Sequence, residues 1–135
     1  MKRRKIQPPN FTPAMGAYSH GMAVELGAHA IVFVTGQIAV DAEGAVVAPN
    51  DAAAQTEFIF KNIQTILAAA DASLDDVVKA QIFVTDIKDF SKISPIRNLY
   101  FAKSEPVSTL VEVRNLVKEG CVVEIEVIAM IERLN

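Results

Sequence analysis

The chain has 135 residues, of which 51% are hydrophobic and 21% charged; this excludes a disordered chain and is enough for one folded domain spanning residues 1–135. Thirteen Lys and Arg against 16 Asp and Glu give a formal net charge of −3, which counts against a duplex nucleic-acid binder that must replace phosphate counterions. One cysteine, Cys121, and two histidines, His20 and His29, cannot make an internal disulfide or the usual closed zinc site.

The basic start, Met1 to Lys5, is not followed by an apolar run, and no apolar stretch approaches a membrane span. A soluble cytoplasmic protein without membrane contact is expected. Residues 1–13 hold Pro8, Pro9 and Pro13 and read as an extended or irregular tail. Residues 17–26 and 31–40 read as strands, joined by Gly27-Ala28-His29-Ala30, and a third short strand is expected at 45–47 after the Asp41–Gly44 turn. Residues 51–70 carry the strongest helical pattern. Asp51 can cap it, and Ala54, Phe58, Ile59, Ile63, Ile66, Leu67 and Ala70 recur at three- and four-residue steps. Gln55, Lys61 and Gln64 fall outside that stripe, and Asp71 suits a left-handed exit.

Residues 77–87 then read as a strand, and a shorter helix lies within 89–103. Pro95 sits inside it. Either the helix starts there, with Ser94 as its cap, or its first turn is distorted. Strands at 109–116 and 122–131 follow, separated by the hairpin-length turn 117–120. The order is β-β-β-α-β-α-β-β, an α+β fold with about six strands in a mixed sheet and two helices on one face. On the last strand Val123, Ile125, Val127 and Ala129 point one way, and Val122, Glu124, Glu126, Ile128 and Met130 the other. That second face is half apolar, has no helix left to cover it, and predicts an oligomer in which bare faces meet.

Several segments together resemble the RidA family, also called YjgF/YER057c/UK114. They are Gly16-Ala17-Tyr18-Ser19-His20-Gly21, Phe33-Val34-Thr35-Gly36-Gln37-Ile38, Ala54-Gln55-Thr56 with Asn62, Asp76-Val77-Val78-Lys79, Phe83-Val84-Thr85-Asp86, Pro106, Val111-Glu112-Val113 and Glu124-Ile125-Glu126. The likeness runs from about Pro13 to Met130. It implies a chorismate-mutase-like fold and a homotrimer with a small-molecule cleft at each subunit interface. It also implies hydrolysis of 2-imino and enamino acids to 2-oxo acids and ammonia, without metal or organic cofactor.

Carried over residue by residue, the resemblance makes Glu124 the carboxylate that positions the attacking water. Tyr18 becomes the tyrosine at the cleft mouth, and Gly36 the glycine whose backbone approaches the ligand. Three positions depart from the deaminase pattern. Ser108 stands where an arginine would hold the substrate carboxylate, Leu110 stands at a cysteine, and Ser94 at an asparagine. A guanidinium makes two charged bonds to a carboxylate, and a serine hydroxyl offers one neutral donor. Losing such a bond from a buried site costs about 2–5 kcal/mol, so a smaller or neutral substrate fits better. Arg114 is six residues beyond Ser108, roughly 20 Å along an extended strand. Arg97, near the start of the second helix, is the substitute that could reach a cleft.

Each candidate also has a plain structural reading. Glu124 can be a solvated strand residue, Tyr18 an edge aromatic, Ser108 a strand-entry hydroxyl bonded to the backbone, and Gly36 a bulge. Glu126 reads as an inter-strand or inter-subunit charge partner, Cys121 as a small buried hydrophobe, and His20 as a surface or interface residue. Three functions compete: a RidA-like hydrolase, a metabolite-binding or regulatory trimer without turnover, and a ribonuclease or translation inhibitor. Only the Lys2–Lys5 run argues for the last.

Overall fold

A computed structural model describes residues 2–132, and its element order is the expected β-β-β-α-β-α-β-β. Strand β1 (Arg3–Ile6) pairs antiparallel with β2 (Gly21–Leu26), so the front of the expected tail is an edge strand. Pro8 and Pro9 follow it, and neither can donate to a ladder. β2 folds back on β3 (His29–Gln37). The strand expected at 45–47 is reduced to an isolated bridge between Val40 and Val46. The Asp41 carboxylate accepts from the amides of Glu43 and Ala45 at 3.0 and 2.9 Å, which coils the segment into a turn. Six strands are still reached, because β1 takes the place of that segment.

Helix α1 (Ala52–Ala69) starts where Asp51 Oδ1 accepts from the Ala54 amide at 3.0 Å. It stops at Asp71, which adopts φ +60°. Ile59, Ile63, Ile66 and Leu67 are fully buried as expected, and Phe60 joins them. Gln55 departs from expectation. It is wholly buried, its Nε2 donating to the carbonyls of Val47, Ala48 and Gly120 while its Oε1 accepts from the Val122 amide. Two backbone segments far apart in sequence would otherwise leave those groups unsatisfied, so a polar residue belongs in the core here.

Strand β4 (Val77–Val84) leads through a 3-10 turn (Ile87–Asp89) into α2 (Phe90–Tyr100). Pro95 lies inside α2, so Ser94 is not its cap; the helix enters earlier, through the 3-10 turn. Tyr100 stacks on Phe60 at 4.6 Å and donates to Glu57 Oε2 at 2.6 Å. Burial and that carboxylate push the phenol up to about 12.

The expected hairpin between the last two strands does not form. β5 (Val107–Glu112) runs parallel to β4 at the sheet edge, and β6 (Val123–Glu132) lies between β3 and β4, giving the order β1-β2-β3-β6-β4-β5. Residues 113–122 carry the chain past the end of β4. The Val113 amide bonds Val84 O at 2.7 Å, and the Thr85 amide bonds Val122 O at 3.2 Å. Strand parity on β6 holds: Val123, Ile125, Val127 and Ala129 are buried in the core shared with α1. On the opposite face Phe33 and Met130 are exposed and Ile31 and Ile128 half-buried. No helix among the described residues is long and apolar enough to cross a membrane.

Candidate functional site

Glu124 sits on the helix-free face of β6, opposite Phe83 of β4. On its other side the β3–β6 register slips between Val34 and Gln37, a bulge that contains Gly36. Gly36 is not in the left-handed region; what it lacks is bulk. A Cβ there would lie 2.9 Å from Glu124 Cδ and 3.1 Å from Cγ, and closer still to Oε2. The glycine is therefore the space into which the carboxylate folds, and the bulge and the close approach are one feature.

The carboxylate is half-buried, and among the described residues nothing donates a hydrogen bond to it. Burial, then the charge of Glu126, raises its pKa above the ordinary carboxylate value. An underbonded carboxylate in that state is a better proton acceptor than a solvated one. It lines a cavity of about 120 Å³ together with Gly36, Thr35, Gln37, Tyr18, His20 and Asn62. The Thr35 hydroxyl donates to Ser19 O and Gln37 Nε2 donates to Thr35 O at 2.9 Å, so both are held in place. Tyr18 is 46% exposed at the rim, where its hydroxyl accepts from the Met15 amide at 3.2 Å. It also borders a trough of about 720 Å³ on the open sheet face, with Phe33, Glu126 and Ile128.

His20 is a correction. It is 8% exposed, not a surface residue, because Phe11 and Thr12 fold back over it; Phe11 meets its ring edge-on at 4.9 Å. The isolated apolar Phe11 in a Pro-rich segment was the sequence signal for such a contact. Gln37 and Asn62 were also missed as cavity residues, although both lie within the quoted segments.

The remaining candidates lie elsewhere. Arg97 and Ser108 share a second depression, of about 470 Å³, with Asn98, Glu105 and Pro106. Arg97 Nε and Nη2 donate to Asn98 Oδ1 at 3.2 and 3.1 Å, and its guanidinium lies 5.6 Å from the centre of the Phe90 ring. Ser108 pairs with Ala80, on the helix side of the sheet edge. Ser94 lines neither cavity. One chain thus brings Glu124, Gly36 and Tyr18 together and keeps Arg97 and Ser108 apart from them. No group of three His, Cys, Asp or Glu among the described residues is placed to hold a metal ion. Cys121 is buried, which raises its thiol pKa.

The six-stranded mixed sheet with two helices on one face is the α+β fold of the YjgF/L-PSP proteins. The family model described as Endoribonuclease L-PSP matches residues 10–131, and the chain belongs to that family, the RidA or YjgF family. A RutC family protein of Pyrococcus abyssi is 38% identical over 115 residues, 85% of this chain and 87% of its own. The rat 2-iminobutanoate/2-iminopropanoate deaminase is 32% identical over 128 residues, 95% of this chain and 90% of its own. Among solved structures, E. coli TdcF with bound serine superposes with a TM-score of 0.80 at 32% identity, covering 97% of this chain and 99% of that one.

Proposed function

We propose that this protein is a RidA-like hydrolase acting on a small imine or enamine, in clefts formed where copies of the chain meet as a homotrimer. The observation that carries the reading is the Glu124 carboxylate, folded into the space left by Gly36 with its pKa raised. Hydrolysis of a protonated imine needs a located water and a base. Glu124 takes a proton from water as its oxygen bonds to the imine carbon. The same proton passes to nitrogen; the C–N bond then breaks as Glu124 takes the proton of the new hydroxyl and the carbonyl forms, and ammonia leaves. Deaminases among the relatives support this chemistry.

The substrate differs from a standard 2-imino acid, because Ser108 offers one neutral donor where the family pattern has an arginine. Arg97 lines the same depression as Ser108 and supplies a cation there. The reading requires the β5 edge of one copy, with Ser108 and Arg97, to meet the open sheet face of the next, where Phe33 and Met130 are exposed. An RNA-cleaving role draws support from the family's name and from the exposed basic side chains of Arg3, Arg4 and Lys5 on the edge strand β1, against a formal net charge of −3.

The test is ammonia release from imines generated in situ by an amino-acid dehydratase, with Glu124→Gln expected to lose on the order of 100-fold. Release equal to the buffer rate across several imines refutes the hydrolase. A metabolite-binding trimer is the second reading, favoured by Ser108; it predicts a ligand-induced rise in melting temperature with no ammonia.

A further inference from the structure

The wall of the Glu124 cavity changes character with depth. Its inner part is polar: Gln37 is 6% exposed, and Thr35 and Glu124 are half-buried. Its rim is apolar: Met15 and Val117 border the cavity while 61% and 76% exposed. The two arrive from separate parts of the chain, Met15 from the segment between β1 and β2, Val117 from the stretch between β5 and β6. Both are tethered at the mouth. The Met15 amide donates to the Tyr18 hydroxyl at 3.2 Å. Lys118, next to Val117, donates from Nζ to the carbonyl of Gly44 at 3.0 Å, and Gly44 is itself in the cavity wall. Neither Met15 nor Val117 belongs to the hydrophobic core. The fold thus holds two large apolar side chains over the opening of a polar cavity without using them for its own stability.

We propose that Met15 and Val117 select the substrate's side chain, so that the site prefers an imine carrying a hydrocarbon chain over one whose chain ends in a polar group. This rests on the Glu124 cavity being the reaction site. The depth profile fixes the orientation of the occupant. The imine carbon must reach Glu124, so the rest of the molecule runs outward. A cavity of about 120 Å³ has room for roughly four atoms of water size, at about 30 Å³ each. That space takes the reacting end and the first carbons, and the end of the chain lies against Met15 and Val117. Each methylene covered there improves binding about fourfold. A terminal hydroxyl in the same place gives up hydration to two side chains that offer it no hydrogen bond.

The experiment compares the imines that an amino-acid oxidase makes from norvaline and homoserine, whose chains have one length and end in a methyl and a hydroxyl. Ammonia release is normalised to the imine formed. The full-length protein is expected to favour the norvaline imine about tenfold in kcat/KM. Val117→Ser and Met15→Gln are each expected to cut that ratio to about threefold or less. Both positions are exposed, so melting temperatures should hold within about 2 °C. Butylamine and 3-aminopropanol, stable ammonium probes that differ in the same way, read the preference without turnover. The 13C methyl resonances of Met15 and Val117 are expected to move at about tenfold lower butylamine than 3-aminopropanol. A wild-type ratio within twofold, a ratio that neither variant changes, or a Val117→Ser protein with an altered assembly state, which makes Val117 a subunit contact, each overturns the assignment. The two readings fail separately. Methyls that prefer butylamine, with no ammonia release from any imine, remove the hydrolase and keep the apolar mouth. Glu124-dependent ammonia release at equal rates from both imines keeps the hydrolase and removes the mouth.

Discussion

Gly36→Ala isolates the contact on which the Glu124 site depends. The backbone at position 36 is open to alanine, so the substitution adds a methyl without forcing a strained dihedral. That methyl would sit 2.9 Å from Glu124 Cδ, whereas carbon atoms pack at about 3.5–4.0 Å. The carboxyl must therefore retreat by roughly 0.5–1 Å. Misplacing a reacting group by that distance costs about 100-fold in rate. The stability cost belongs at the low end for overpacking, about 1 kcal/mol, because a half-buried side chain can swing outward. The loss of melting temperature should then be only about 3 °C. Ammonia release measures the first effect and thermal unfolding the second. A 13C titration of the Glu124 carboxyl gives a readout independent of turnover: moved toward solvent, the group should titrate lower than in the wild type. The double variant Gly36→Ala, Glu124→Gln should be no slower than Glu124→Gln alone. If the two losses multiply, or if Gly36→Ala retains wild-type activity and titration, the glycine is not acting through Glu124.

Gln55→Met strips the partners from three carbonyls and one amide, and should cost about 4 kcal/mol, read as a lower denaturant midpoint at unchanged m-value. Glu124 has a folded pKa above its unfolded value, so the native state binds its proton more tightly and stability falls as pH rises between the two. Glu124→Gln should therefore be more stable than wild type at neutral pH, with the gain vanishing below the ordinary carboxylate range; equal pH profiles of unfolding would contradict the raised value. Ser108→Arg should raise kcat/KM for 2-iminobutanoate about 30-fold or more, and an unchanged rate would mean that Ser108 is not what limits recognition of a carboxylate.

Periodicity carries information about which way a residue faces, and that part of the fold was legible. The buried members of β6 were correctly assigned; on α1 Ile59, Ile63, Ile66, Leu67 and, at its cap, Ala70 are buried as expected, Ala54 and Phe58 are only half-buried, and Ala52, Gln55, Thr56 and Phe60 are buried outside the expected stripe. Periodicity carries none about which strand lies next to which. The short turn at 117–120 looked like a hairpin because two apolar runs flank it, yet β4 claims the place between them. Gln55 was misjudged for a related reason: its four partners lie at 47–48 and 120–122, and nothing local to the helix signals them. At the site, Glu124, Gly36 and Tyr18 were legible through the family resemblance, but the contact between Glu124 and Gly36 depends on a bulge that strand alternation does not encode. His20 was hidden because its burial comes from Phe11 and Thr12 in a segment with no regular structure.

The position of β6 has a consequence for how the molecule is made. β1, β2 and β3 form one ribbon, β4 and β5 another, and β6 is the seam between them. It is synthesised after both, so neither ribbon can join the other while the preceding strands are leaving the ribosome. Closure of the sheet waits on long-range pairings, which slows folding and exposes the apolar margins of β3 and β4 in the meantime. Substitutions along Val123–Ala129 should therefore lower the yield of folded protein during synthesis by more than their effect on the finished molecule suggests.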